Sequence, residues 1–504
     1  MPALHLWGIR QAIGLAVAAA ILLVVTMVVF ALWYAGWPGI ERASVVTPGT
    51  LFDLLKLVFA VVAGIGGVAA LVVAYRRQRV AEHTSQLAEF SHELAHAADQ
   101  RAEIAKALAQ VADDRAQVEA ERNGVRLFNE RFAKASEQLG SDKAAVRLAG
   151  VYAMAGLADD WKNGRQTCIE VLCAYLRMPY APPPDIEGND RSGNVGEWRG
   201  ENLAARQERE VRHTVIRLIG DRLKRSLGDE TSWCAYDFDF TGAVFDGGSL
   251  ANATFSGGRV LFIGATFTSG ALLLEGVNFD HAYACFNDAV FNSGVVSFIG
   301  ATFDGGQLAF IGAVFNGSIV DFTNATFSEA NVNFQDATFS GGKVDFTSAA
   351  FNGGKLSCQA AKFNNGELGF YRATFDGLEA TFLASVIRGG VVSFVGCRHE
   401  LGELYFGGVR VIGGTVDFSG AELRGGTVDV DGSILEGGSM LFDQVLLIRG
   451  GIYFGGGSRL TGTMLSFRAA YFEGGEVWFT AVHVDVPPVF DGWADAAPTG
   501  LRLP

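Results

Sequence analysis

The feature that most restricts this chain is a phenylalanine that returns every twelve residues. One ladder runs in steps of twelve from Phe255 to Phe375, and a second, offset by seven, runs from Phe262 through Leu274 and Cys358 to Phe418. Two positions before the first ladder stands a small residue, as at Ala253, Ala265, Ala289 and Ala301. In an extended segment residues i−2 and i point the same way, so each small–large pair faces one core. A pattern of this length describes stacked similar coils rather than an ordinary globule. Later units keep the frame through Ile387, His399, Val411, Leu423 and Leu435, then slip by one residue near Gly455-Gly456-Gly457.

The repeat enters in steps of five, at Phe240, Phe245, Leu250 and Phe255, and then alternates seven with five. The two extra residues are often a glycine pair, as at Gly305-Gly306 and Gly353-Gly354. Glycine accepts positive φ, so a widened corner accounts for the insertion. Two coils fit the spacing. A flat twelve-residue turn crowds two phenylalanines into each thin layer; a four-sided turn of 24 residues spreads four around the section. The opening five-residue steps favour the second, giving about ten coils and a rod of about 50 Å at the usual strand spacing.

Composition agrees: 64 Gly and 38 Phe against 11 Pro suit a glycine-turned, phenylalanine-cored repeat, and 49% hydrophobic residues with 19% charged exclude a disordered chain. Up to Cys234 there are 27 acidic and 27 basic residues, whereas Ala235 to Phe490 carries 25 acidic and 12 basic. The acidity belongs to the repeat. It disfavours direct nucleic-acid binding and suits a basic protein partner. The six cysteines form no C-x-x-C pair or zinc spacing and read as buried reduced thiols.

Ala12 to Trp37 and Leu57 to Tyr75 carry no charge. Each is near the ~20 residues that cross a bilayer as a helix. Arg10 precedes the first run, and Arg76, Arg77 and Arg79 follow the second. Positive flanks stay on the cytoplasmic side, so the reading is a multi-pass hairpin in the inner or plasma membrane, with the N-terminus and the C-terminal repeat in the cytoplasm.

From Val80 to Val125 a 3–4 spacing follows, through Leu87, Phe90, Leu94, Ile104, Leu108, Val111 and Val118, with His83, Arg101, Arg115 and Arg122 interrupting it. This is a coiled-coil seam, about 70 Å long as a helix. It gives either a homo-oligomeric stalk or one amphipathic helix lying against its own chain. Within it His92-Glu93-Leu94-Ala95-His96 matches the H-E-x-x-H zinc-protease signature, in which the two histidines hold the metal and the glutamate activates its water. The seam runs through the motif, no third ligand stands out in the following helices, and no substrate-binding sheet fits between Arg79 and Val125. A solvated stalk face is therefore preferred, and no residue is assigned a catalytic, cofactor-binding or metal-binding role.

The domains expected are a transmembrane hairpin (1–79), a stalk (80–125), a small helical module (126–180), a flexible linker (181–206), a helix leading into the solenoid (207–234), the solenoid (235–484) and a tail (485–504). In the module, Ser141 is placed as the cap of a helix ending at Leu157, and a further helix runs from Gln166 to Met178. Such paired helices look like one or two turns of an α-solenoid.

Small-x-Phe/Leu-x-x at a period of five resembles the pentapeptide-repeat family, whose chains coil into a right-handed quadrilateral β-helix. The strict match covers Phe240 to Phe255 and half of each later step. Asn129-Glu130-Arg131-Phe132, Glu137-Gln138-Leu139-Gly140, Val146-Arg147-Leu148-Ala149-Gly150, Cys168-Ile169-Glu170-Val171-Leu172 and Asp237-Phe238-Asp239-Phe240-Thr241-Gly242 resemble actinobacterial membrane-anchored members of it. The resemblance implies an α plus β-solenoid chain and no defined activity. Three functions follow as expectations. The first is a non-enzymatic, membrane-anchored protein-interaction scaffold, and the second is an acidic mimic of duplex DNA that binds a DNA topoisomerase, as some family members do. The third and weakest is a membrane zinc protease using the segment around His92, Glu93 and His96.

Overall fold

The computed structural model describes residues 8–39, 45–183, 195–490 and 500–502. The chain divides into two units, Met1–Arg122 and Asn123–Pro504.

In the first unit, α1 (Ile9–Tyr34) and α2 (Pro48–Leu139) are each long and apolar enough to cross a membrane. Leu22 and Phe30 on α1, and Phe52 and Phe59 on α2, are more than 60% exposed. Ala16, Ala19 and Ala20 of α1 line one cleft with Ala60 and Gly64 of α2. Small residues of this kind let helices approach where no hydrophobic force drives them together. The heptad segment is not a separate element, because the 92-residue α2 runs through it without a break.

In the second unit, α2 ends where Phe128 packs 5.7 Å from both Phe132 and Trp161. It is followed by α3 (Ala144–Asp160), α4 (Arg165–Arg177) and α5 (Val195–Leu223). Ser141 does not cap α3: its Oγ accepts the Lys143 N–H at 3.2 Å in a turn, and the extended Lys143 precedes the helix without a side-chain cap. α5 begins twelve residues before the Gln207 expected. The good helix formers Leu203, Ala204 and Ala205 extend it into the segment read as linker. The rest of that linker (184–194), and 491–499 of the tail, lie outside the described residues.

From Phe238 the chain is a parallel β-solenoid. Strands of mostly two to four residues pair with the strand one turn ahead, and the register is 24 residues: Phe255 faces Phe279, Phe303 faces Phe327, and Val296 faces Val320. One turn carries four strands, as at Arg259–Leu261, Thr266–Phe267, Ala271–Leu273 and Asn278–Asp280. The twelve-residue repeat is therefore half a turn, and the wider of the two coils is the one adopted. The row of strands beginning at Val244 holds 11 members, so there are about eleven turns. The glycine slip is real, since Leu435 pairs with Leu460, a step of 25.

A typical layer buries Phe310, Phe315, Phe322 and Phe327, with Leu308, Ala313, Val320 and Ala325 between them. Rings stack on rings one turn away, Phe298 on Phe322 and Phe303 on Phe327, both at 4.7 Å and within 7° of parallel. Each buried ring stabilises by roughly 1.5–3 kcal/mol. The small row is exchanged for serine at Ser385, Ser433 and Ser458, and each hydroxyl donates to a backbone carbonyl at 2.9, 2.7 and 2.9 Å. At the corners Asp321, Asp345, Asp417 and Asp429 each accept the backbone N–H two residues on, at 2.8–2.9 Å. Gly354 has φ +79°, and a Cβ there would lie 2.2 Å from the Ala330 carbonyl oxygen.

The middle helices cap the solenoid rather than extend as a second one. Ile216 of α5 packs on Gly248, where a Cβ would meet it at 2.9 Å. The buried Arg212 donates to the carbonyls of Tyr175, Leu176 and Val244. Asp246, 4% exposed, receives Tyr180 Oη at 2.8 Å, lies 3.0 Å from His213 Nε2, and pairs with Arg209 at 3.2 Å. Burial alone would raise its carboxyl pKa, and the His213 and Tyr180 hydrogen bonds outweigh it, so the net shift is down. A solenoid needs such a cover, because its first layer otherwise meets water.

Candidate functional site

His92, Glu93 and His96 lie on the exposed surface of α2. Counting the seam residues as heptad positions a and d puts them at f, g and c, on the polar arc opposite Leu94. No group of three His, Cys, Asp or Glu side chains gathers in metal-binding geometry among the described residues.

All six cysteines are free and buried. Burial raises the Cys168 thiol to about 11 and lifts Cys358 and Cys397 further, so these groups stay protonated.

Besides the glycine slip, the solenoid departs from its regularity where two strands run long. Thr374–Thr381 and Arg398–Tyr405 are eight-residue strands that run across a corner broken elsewhere by a turn. Their pairing shifts register twice, between Phe375 and Leu378. Bulges of this kind re-aim side chains and gather at functional surfaces. Beneath them His399 occupies the Phe375 ladder position, fully buried, with neither ring nitrogen hydrogen-bonded. Its ring meets Phe375 edge-on at 5.9 Å. Burial pushes its pKa down to about 4, which keeps the imidazole neutral.

Two adjoining open clefts on the outer wall share Lys355 and Glu379. Glu329, Asn352 and Asp376 line one, and Thr381, Glu403 and Tyr405 line the other. Glu379 faces Glu403 directly in register. Lys355 neutralises Glu379 at 2.8 Å, while Glu403 has no ion pair among the described residues. Like charges directly across a strand pair are unfavourable. The neighbouring wall is self-compensated: Arg398 and Arg424 reach Glu400 and Glu422 at 2.9–3.9 Å. Farther along, Tyr405, Asp429, Tyr453 and Trp478 continue one outward row beside the clefts.

The sequence predicted the acidity of the repeat but not this site. Cross-strand neighbours here are 24 residues apart, and the bulges that bring Glu379 opposite Glu403 leave no local signal. Comparison with known protein families, with curated proteins and with solved structures finds no match.

Proposed function

We propose that this protein is a membrane-anchored, non-enzymatic interaction scaffold, with the hairpin of α1 and α2 in the cell membrane and the solenoid in the cytoplasm. The reading of the repeat as a right-handed, pentapeptide-repeat-like β-helix belongs to this proposal. Its partner is a protein that brings basic side chains to the wall around Asp376, Glu379 and Glu403. The observation that carries the reading is the in-register Glu379–Glu403 pair with a single cation beside it, on a wall whose neighbour is charge-balanced. A lysine- or arginine-bearing segment would relieve that repulsion, and Tyr405 and Tyr453 alongside supply aromatic contact area. Topology is supported by Arg76, Arg77 and Arg79 directly after the second apolar run.

The DNA-mimic reading draws on the same acidity, 25 acidic against 12 basic residues in the repeat. Four of those carboxylates, Asp321, Asp345, Asp417 and Asp429, also serve the corners by accepting backbone N–H groups. Proximity labelling in native membranes, comparing the parent with an Asp376→Lys, Glu379→Lys, Glu403→Lys variant, tests the proposal. Loss of a discrete set of neighbours in the variant is expected. An unchanged set contradicts the assignment of this wall, and topoisomerase inhibition by the purified protein would favour the mimic instead.

A further inference from the structure

The heptad face of α2 is uncovered. Leu87, Leu94 and Leu108 at the a positions, and Ile104 and Val111 at d, are between 46% and 64% exposed. A cytoplasmic helix does not keep such a seam in water, and the 3–4 spacing selects another helix as its cover. We infer that the cover is further copies of this chain, in a parallel, in-register bundle of three or four helices. This rests on the membrane anchoring proposed above for its direction: every copy leaves the bilayer at the same end of the seam, so neighbours meet parallel and aligned.

The residue types set the number. Around Leu108 at a, the β-branched Ile104 and Val111 at d favour three or four strands over two. The apolar arc is also wider than a two-stranded seam needs. Alanine occupies b in successive heptads, at Ala88, Ala95, Ala102 and Ala109, and e at Ala98 and Ala105, all exposed. Each helix can thus pack against two neighbours. The area suffices, since a strip about 70 Å long and about 10 Å wide is roughly 700 Å² a side, close to the ~800 Å² per partner of a stable interface. Two of the three seam arginines, Arg115 and Arg122, each follow an acid, Asp114 and Glu121, at the g position that borders a in the adjacent parallel helix, while Arg101 follows Gln100. The polar arc with His92 and His96 then faces outward.

The test uses the full-length protein in mild detergent. Light scattering should give a polypeptide mass three or four times 53.7 kDa. A Leu108→Cys variant oxidised in native membranes should form disulfides between identical positions, and Lys106→Cys, on the polar arc, should not. The double change Leu94→Gln, Leu108→Gln should give single chains with the melting of the solenoid unchanged. A parent protein of one-chain mass overturns the inference, a two-chain mass overturns the bundle size, and cross-linking at Lys106 in preference to Leu108 overturns the face. Release from membranes on alkaline washing would count against the proposed anchoring, and the measured mass would still decide the bundle.

Discussion

His399 stands where its ladder otherwise holds phenylalanine or an aliphatic side chain, and the fold bears the cost of two ring nitrogens without partners. An unfolded imidazole titrates near 6.5 and the folded one near about 4. Between those values the unfolded chain takes the proton and the folded chain does not. Stability is therefore full above pH 6.5 and falls as the pH drops, by about 3 kcal/mol once pH 4 is reached. Thermal melts at pH 7 and pH 5 should show about 2 kcal/mol of that loss in the parent. His399→Leu should raise the pH 7 stability by about 1–3 kcal/mol, since buried unpaired polar atoms disappear, and should flatten the slope. An unaltered slope would assign the acid sensitivity to other groups. Nothing in the sequence marked this residue beyond its place in the frame: its burial was legible, its lack of partners was not.

At the scale of elements, the stacked rings make neighbouring turns interdependent. Phe322 touches rings at 4.7 Å on both sides, Phe298 and Phe346. Phe322→Asp should cost at least about 3 kcal/mol, because it removes a packed ring and buries a charge; a variant that melts with the parent would contradict the continuity of the core. The ladders, the 24-residue coil and the glycine slip were legible because each recurs at a fixed spacing. The row of Leu308, Val320, Val332 and Val344, two residues before the second ladder, is equally buried. It escaped notice because valine and leucine are ordinary in any strand. The cap was also missed, since contacts such as Arg212 to the Val244 carbonyl join residues whose sequence neighbourhoods give no sign of each other. On α2, the His92→Ala, His96→Ala double variant should keep the stability of the parent, because both side chains are exposed and alanine favours helix. Purified protein should carry no zinc. About one equivalent per chain, lost in the double variant, would revive the protease reading.

For the whole molecule, the proposed arrangement is a membrane hairpin that holds the solenoid in the cytoplasm. The two apolar helices and the arginines after the second were visible as composition alone, whereas sidedness rests on where those charges sit. Labelling of single cysteines in intact cells with a membrane-impermeant thiol reagent tests it most directly, and the buried native thiols give little background. A cysteine replacing Gly39, between the spans, should react from outside. One replacing Ser269, on the solenoid, should react only after the cells are opened. External labelling at Ser269, or none at Gly39, would contradict it.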